Sequence, residues 1–282
     1  MRYLLLIVLL NLSFAVSAKQ SIKVAVSHHL SYLYQTYLGG RDPIGIRNYY
    51  HPIAERIVID ILLQEQAMHA SGCDYKIEFE AVDFNFDRLQ TLLRGHTALS
   101  YDSFWLSEIE DHQDKLYISS AIIPDGKYQV GLFTSEQNAV ARALKNREQV
   151  GKYSMVSNQN WPVDQAAIKT LQPKELFHQD NWVVMSKLVS NGWVDFMLAP
   201  FTVEEGFGYS QYNPRLVPVA KRHVVFQGSR HLAVAKNFQD SEKIYQCLET
   251  GIRKLIDNGR VEKMYDEAVF FYNQRKDWQE LK

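Results

Sequence analysis

Short β-rich runs alternate with helical ones from residue 21 almost to the end of the chain, and that alternation restricts it to an α/β architecture, which we expect to hold largely parallel sheets. Residues 21–27 read as a first strand, 53–68 as a long helix rich in Ile and Leu, and 75–84 as a second strand. A short helix over 86–93, closed by Gly95, leads to a strand over 98–105. The order strand, helix, strand then begins again after Pro124-Asp125-Gly126, with a strand at 128–134, a helix at 137–146 and a strand at 152–157. Pro162 suits the first turn of another helix, with Asn160 or Trp161 at its cap. A helix over 181–189 ends at Asn191-Gly192, and a strand follows over 193–198. Beyond Gln227-Gly228-Ser229, a strand at 231–235 and helices at 241–258 and from Val261 look like a return to the first set.

The first residues carry a different message. Arg2 supplies a positive start, Leu4 to Val16 an apolar stretch, and Val16-Ser17-Ala18 a small-residue cleavage pattern, so residues 1–18 read as a signal peptide and the mature chain should start near Lys19. The apolar stretch is shorter than the roughly 20 residues that span a bilayer and includes Asn11 and Ser13. No membrane insertion is expected after cleavage, and with no cysteine at the cleavage site a lipid anchor is disfavoured.

Composition is that of an ordinary globular protein, with 46% hydrophobic and 22% charged residues and a formal net charge of -1, which gives no reason to expect nucleic acid as a partner. The two cysteines, Cys73 and Cys247, match no metal or redox spacing. In an oxidising compartment they could form one disulfide if the fold brings them together.

Several local patterns, in their order and spacing, carry a resemblance. Leu92-Leu93-Arg94-Gly95, Asn191-Gly192-Trp193-Val194-Asp195-Phe196-Met197-Leu198, Gly228-Ser229-Arg230-His231-Leu232-Ala233-Val234-Ala235-Lys236 and the closing helices through Tyr265 to Trp278 resemble the corresponding parts of family 3 extracellular solute-binding proteins, which have the type II periplasmic binding fold. The resemblance spans nearly all of the mature chain. It implies two αβ lobes with a cleft between them: lobe 1 from residues 19–125 plus 229–282, lobe 2 from 126–228, and hinge crossings near Gly126 and Gly228.

Loops that follow strands face the cleft in open α/β sheets, so candidate ligand contacts are sought there. After the first strand these are Ser27 and His28, with Tyr32 or Tyr34 as the stacking aromatic that family members place here. Adjacent His28 and His29 have no carboxylate at a matching spacing, so no metal is expected, nor any cofactor. Tyr101, Asp102 and Ser103 end the third strand, where amino-acid receptors of the family carry a hydroxyl-bearing segment. Those receptors place an arginine about seven residues later and an aspartate after the second-lobe strand. Here Glu110 and Ala199-Pro200-Phe201 stand at those positions. Asn158 and Trp161, at a strand-to-helix junction, and Phe201 complete the expected pocket, with Ser119, Ser120, Tyr128, His223 and Arg230 as further candidates near the crossings.

The resemblance therefore implies a periplasmic, non-enzymatic receptor that captures a small polar solute and presents it to an ABC permease or a membrane sensor. With both halves of the amino-acid clamp altered, a standard α-amino acid is not expected. A mildly acidic, aromatic pocket would suit a neutral or cationic solute instead. Two alternatives stand beside it: a periplasmic lyase of the cyclohexadienyl dehydratase kind using Glu110, Glu204 or Glu205, and a degenerate binding fold acting as an interaction module.

Overall fold

A computed structural model describes residues 20–73, 75–82 and 88–281, so the expected signal peptide lies outside the described residues, as do the ends of the strand expected to reach 84 and of the helix expected to begin at 86. The first segment runs β1 (Gln20–Ser27), α1 (His28–Leu38), α2 (Arg56–Ser71), β2 (Tyr75–Val82), α3 (Arg88–Leu93), β3 (Phe104–Trp105), α4 (Leu106–Ile109) and β4 (Leu116–Ile118). The second holds β5 (Tyr128–Ser135), α5 (Ala139–Arg142), β6 (Ser154–Ser157), α6 (Pro162–Leu171), β7 (Glu175–His178), α7 (Trp182–Ser190), β8 (Met197–Ala199), β9 (Leu216–Pro218) and β10 (Arg222–Phe226). The return comprises β11 (Arg230–His231), β12 (Ala233–Ala235), α8 (Ser241–Asp257), α9 (Arg260–Tyr265) and a terminal strand β13 (Gln279–Glu280).

In the first lobe β1 and β2 pair in parallel, and the returning strands β11 and β12 pair antiparallel with β3 and β4. Helix α8 buries Ile244, Cys247, Leu248, Gly251, Ile252 and Leu255, a helical-period stripe that packs on α2. Cys73, just past the end of α2, is bonded to Cys247 of α8. The condition that the fold bring the two sulfurs together is met.

The second lobe departs from the expected parallel sheet. Its central strand, β5, pairs antiparallel with β8, β9 and β10, and β6–β7 is a parallel pair. The physical reason is connectivity: β5 carries the chain into this lobe and β10 carries it out, so side by side the two must run in opposite directions. The crossings continue as neighbours past the sheet, with Ile123 bridged to Arg230 and the Gly228 N–H donating to Asp125 at 2.5 Å. Gly126 and Gly228 both hold positive φ, +72° and +108°, where a side chain would be strained.

The tail also departs from the expected division of the chain. Strand β13 pairs in parallel with β10, and Phe271 and Trp278 pack with Phe133 and Phe201 of the second lobe. By contact, the last residues of the 229–282 segment belong with lobe 2.

Further differences are local. Residues expected to form a loop after β1 continue directly into α1, because the Ser27 side chain accepts from Leu30 N–H at 3.1 Å and Leu30, Tyr34, Tyr37 and Leu38 form a buried helical stripe. The helix expected over 137–146 is one turn, α5, followed by a 3-10 segment at Arg147–Lys152. Among the described residues no helix is long and apolar enough to cross a membrane.

Candidate functional site

A cavity of about 310 Å³ opens between the lobes beside the two crossings. Lobe 1 supplies Arg56, Arg88, Trp105, Glu108 and Arg230; the crossing strands supply Tyr128 and Phe226. Lobe 2 supplies the loop and first turn of α6 from Asn160 to Asp164, Trp182 of α7, and Leu198 to Pro200 at the end of β8. Both walls are thus strand ends and helix starts, the positions from which an α/β fold presents side chains to a ligand.

Three arginines reach this wall over a buried anionic floor. Arg56 opens α2, with Nη1 donating to Asp60 at 2.5 Å and Nη2 to Asp102 at 3.1 Å. Arg88 donates to the other Asp102 oxygen and lies 3.6 Å from Glu108. Its guanidinium sits 4.4 Å from the centre of the Phe104 ring. Asp60 is fully buried and satisfied: it accepts from Ser103 N–H at 2.9 Å, Ser103 Oγ at 2.7 Å and the Tyr265 hydroxyl at 2.6 Å. Burial alone would raise the Asp102 carboxyl, yet Arg88 and Arg56, with Arg230 beyond, outweigh it and hold its pKa below the usual value.

Arg230 differs from the other two. It is 4% exposed, stacked 4.7 Å from the Trp105 ring centre, with Nε donating to Ser103 Oγ at 2.9 Å and Nη2 to the Ser103 carbonyl. No carboxylate lies within ion-pair distance of it among the described residues. Burial, reinforced by the neighbouring Arg56 charge, lowers its pKa to about 10. Opposite, on α6, burial pushes the Asp164 carboxyl up to about 7, against the pull of its own N–H and of Arg230.

The residues expected from sequence divide sharply. Trp161 lines the cavity, and Asp102 and Ser103 stand behind it as the groups that hold its arginines. Ser27 is the α1 cap, and His28 and Tyr32 are exposed on α1. Tyr34 is a core residue bonded to Glu65. Tyr101 packs on the core, its carbonyl accepting from Gln64 at 3.3 Å. Asn158 shapes its own loop, accepting from Asn160 N–H at 2.8 Å, and Phe201 lies in the second-lobe core against Phe133. Glu110 is exposed and off the cavity wall, because the chain turns into α4 and a 3-10 segment after Trp105. Glu204 pairs with Arg215 at 3.6 Å and Glu205 is exposed; neither is on the wall. The expected mildly acidic pocket is therefore corrected to one walled by three guanidinium groups.

Arg56 and Arg88 are not among the contacts expected from sequence. The available signal was Asp60, a carboxylate inside the apolar run Ile57 to Leu63 with Arg56 four residues before it. Such a buried acid implies a buried partner.

The two αβ lobes, the cleft and the strand order define the type II periplasmic binding fold. Among solved structures, the chain is similar to the probable amino-acid ABC transporter extracellular-binding protein YtmK of Bacillus subtilis, with a TM-score of 0.60 and 12% identity over 88% of this chain and 97% of that one. It is likewise similar to substrate-binding domain 2 of Lactococcus lactis GlnP, with a TM-score of 0.53 and 13% identity over 89% and 96% of the two chains. A third, the ancestral amino-acid-binding protein AncCDT-1, described as a precursor of cyclohexadienyl dehydratase, gives a TM-score of 0.51 and 16% identity over 88% and 95%. By sequence, no family model and no curated protein matches the chain.

Proposed function

We propose that this protein is an exported binding receptor that captures a small polar solute by closing its two lobes at the Gly126 and Gly228 crossings, and hands it to a membrane transporter or sensor. The observation that carries the reading is the cavity itself: its walls come from both lobes, so closure dries the site and strengthens every polar contact within it. The amino-acid-binding proteins among its structural neighbours support a receptor of this kind. The signal-like residues 1–18 support export to the periplasm.

The finer reading is that the solute is not a standard α-amino acid. Glu110 is turned to solvent, and Pro200 stands where a carboxylate would hold an ammonium. The carboxyls left to meet an ammonium are Glu108, already beside Arg88, and Asp164, whose pKa burial raises to about 7, so an amino acid's ammonium would be poorly paired on closure, at a cost of several kcal/mol if left unpaired.

Native purification, release of the bound small molecule and its mass-spectrometric identification test the reading, together with calorimetric titration and small-angle scattering. A one-to-one complex with a contracted envelope is expected. An envelope unchanged by a bound solute would refute lobe closure. Asp164 gives the lyase reading one specific support, as a carboxyl in the cleft with a raised pKa. Chemical conversion of a cyclohexadienyl acid by the purified protein would decide for it.

A further inference from the structure

Resting on the receptor reading, we infer that the cleft is an oxyanion site, and that its solute is a small organic acid whose anionic group sits between Nη1 of Arg230 and the first turn of α6. The three guanidinium groups are used differently. Arg56 is committed to Asp60 and Asp102, and Arg88 to Asp102 and Glu108. Arg230 spends Nε and Nη2 on the uncharged Ser103, and its Nη1 has no hydrogen-bond partner among the described residues. A cation this deeply buried whose hydrogen-bond partners are all neutral, attracted by Asp60 and Asp102 only at longer range and repelled by Arg56, has lost most of its hydration without a direct counter-ion, and an anion delivered by the ligand supplies one.

The facing wall agrees. Helix α6 has ten residues, opens with Pro162, and receives no capping bond from the Trp161 side chain. The first backbone bond at this end is from Gln165 N–H to the Trp161 carbonyl at 2.9 Å. Pro162, Val163 and Asp164 all border the cavity, so the positive end of the helix faces Arg230. The rings of Trp161 and Trp182, both partly exposed on the wall, leave apolar faces for the body of the acid.

Asp164 is the opposing charge in that wall. It is faced by Arg230, Arg56, Arg88 and Glu108 across the cavity, with Arg147 beside the start of α6 on the adjoining surface. Below about pH 7 its carboxyl is neutral and can donate a hydrogen bond to the oxyanion; above, it repels the ligand. Capture should therefore be coupled to proton uptake at Asp164.

The test is calorimetric titration of the mature protein with pyruvate, malonate, succinate and inorganic phosphate, and with alanine and putrescine as zwitterionic and cationic controls, at pH 6 and pH 8. At least one carboxylate should bind, about tenfold more tightly at pH 6. Asp164→Asn should remove that pH dependence, and Arg230→Gln should weaken binding at least fiftyfold. Because Arg230 also holds Ser103, Asp164→Asn keeps the test valid if Arg230→Gln fails to fold. Phosphate binding to the exclusion of every carboxylate would overturn the organic-acid assignment. Putrescine binding without any anion would overturn the oxyanion site while leaving the receptor reading intact. Alanine binding that needs both Arg230 and Asp164 would support the oxyanion site and overturn the exclusion of amino acids. No binding of any probe, with nothing released from natively purified protein, would overturn both readings.

Discussion

Gly251 of α8 lies so close to Ala67 of α2 that a Cβ added to it would stand 1.8 Å from the Ala67 carbonyl oxygen. The two longest helices of the first lobe therefore meet backbone to backbone, and the neighbour that would have to yield is main chain. Gly251→Ala should destabilise the protein by about 1 to 3 kcal/mol or more, as overpacking does when no flexible side chain can move aside. Urea denaturation of the variant measures it, and an unchanged midpoint would mean that the helices can separate at no cost.

The same helix pair is tied by Cys73 and Cys247, which are 174 residues apart in sequence. Crosslinking so long a loop limits the unfolded chain, and removal of a native disulfide commonly costs about 2 to 5 kcal/mol. Replacing both cysteines by serine should lower the denaturation midpoint, and a reductant should do the same to the native protein but not to the double variant.

Arg275 fixes the C-terminal tail to the second lobe. Its guanidinium lies 3.8 Å from the Phe201 ring centre, donates to Gln129 of β5 at 3.2 Å, and bonds the Phe270 carbonyl. A lysine cannot reproduce this planar stacking and fork, so Arg275→Lys should behave much like Arg275→Ala. Both should expose residues 271–281 to limited proteolysis, detected as C-terminal trimming that the native protein resists.

The fold was more legible than the site. Pro162 announces α6 and Gly95 marks the end of α3, because each acts over one or two turns of chain. Helix α1 is less legible although Leu30, Tyr34, Tyr37 and Leu38 recur at helical spacing, because Tyr32 and Tyr34, two of its three tyrosines, equally suit a ligand-stacking loop. Antiparallel pairing around β5 depends on where β10 returns, which no local pattern specifies. The cavity arginines come from α2, α3 and β11, and only the tertiary fold brings Arg56, Arg88 and Arg230 around one serine. Of these, Arg230 alone stood in a segment whose place in the fold could be anticipated, close to a crossing.

His223 of β10 should make the protein acid-sensitive. Burial, with the Arg275 charge added, lowers its pKa from 6.5 to about 4, only partly offset by Glu280. Between those values the unfolded chain binds a proton that the folded one does not, so stability is lost as pH falls from about 6.5 to 4, on the order of 2 kcal/mol in all. His223→Phe removes the linkage. Compared at pH 7 and pH 4.5, the variant should lose less stability than the native protein, and parallel losses in both would show that His223 does not carry the effect.

Asp164 should act in the opposite direction in the ligand-free protein. Its carboxyl titrates near 3.8 when unfolded and, because burial disfavours the charged form, near 7 when folded. Between these values the folded state holds a proton that the unfolded state has released, so its stability falls as pH rises from about 4 to 7 and stays low above that. Asn at this position keeps the shape and removes the charge. Asp164→Asn should therefore raise the melting temperature at pH 8 and leave it nearly unchanged at pH 4.5, whereas an equal shift at both would place the effect in packing. A bound organic acid should widen the contrast, since the anion adds its own repulsion to the ionised carboxylate and favours the protonated form. In the native protein, the ligand-induced rise in melting temperature should shrink between pH 6 and pH 8, and in Asp164→Asn it should be the same at both.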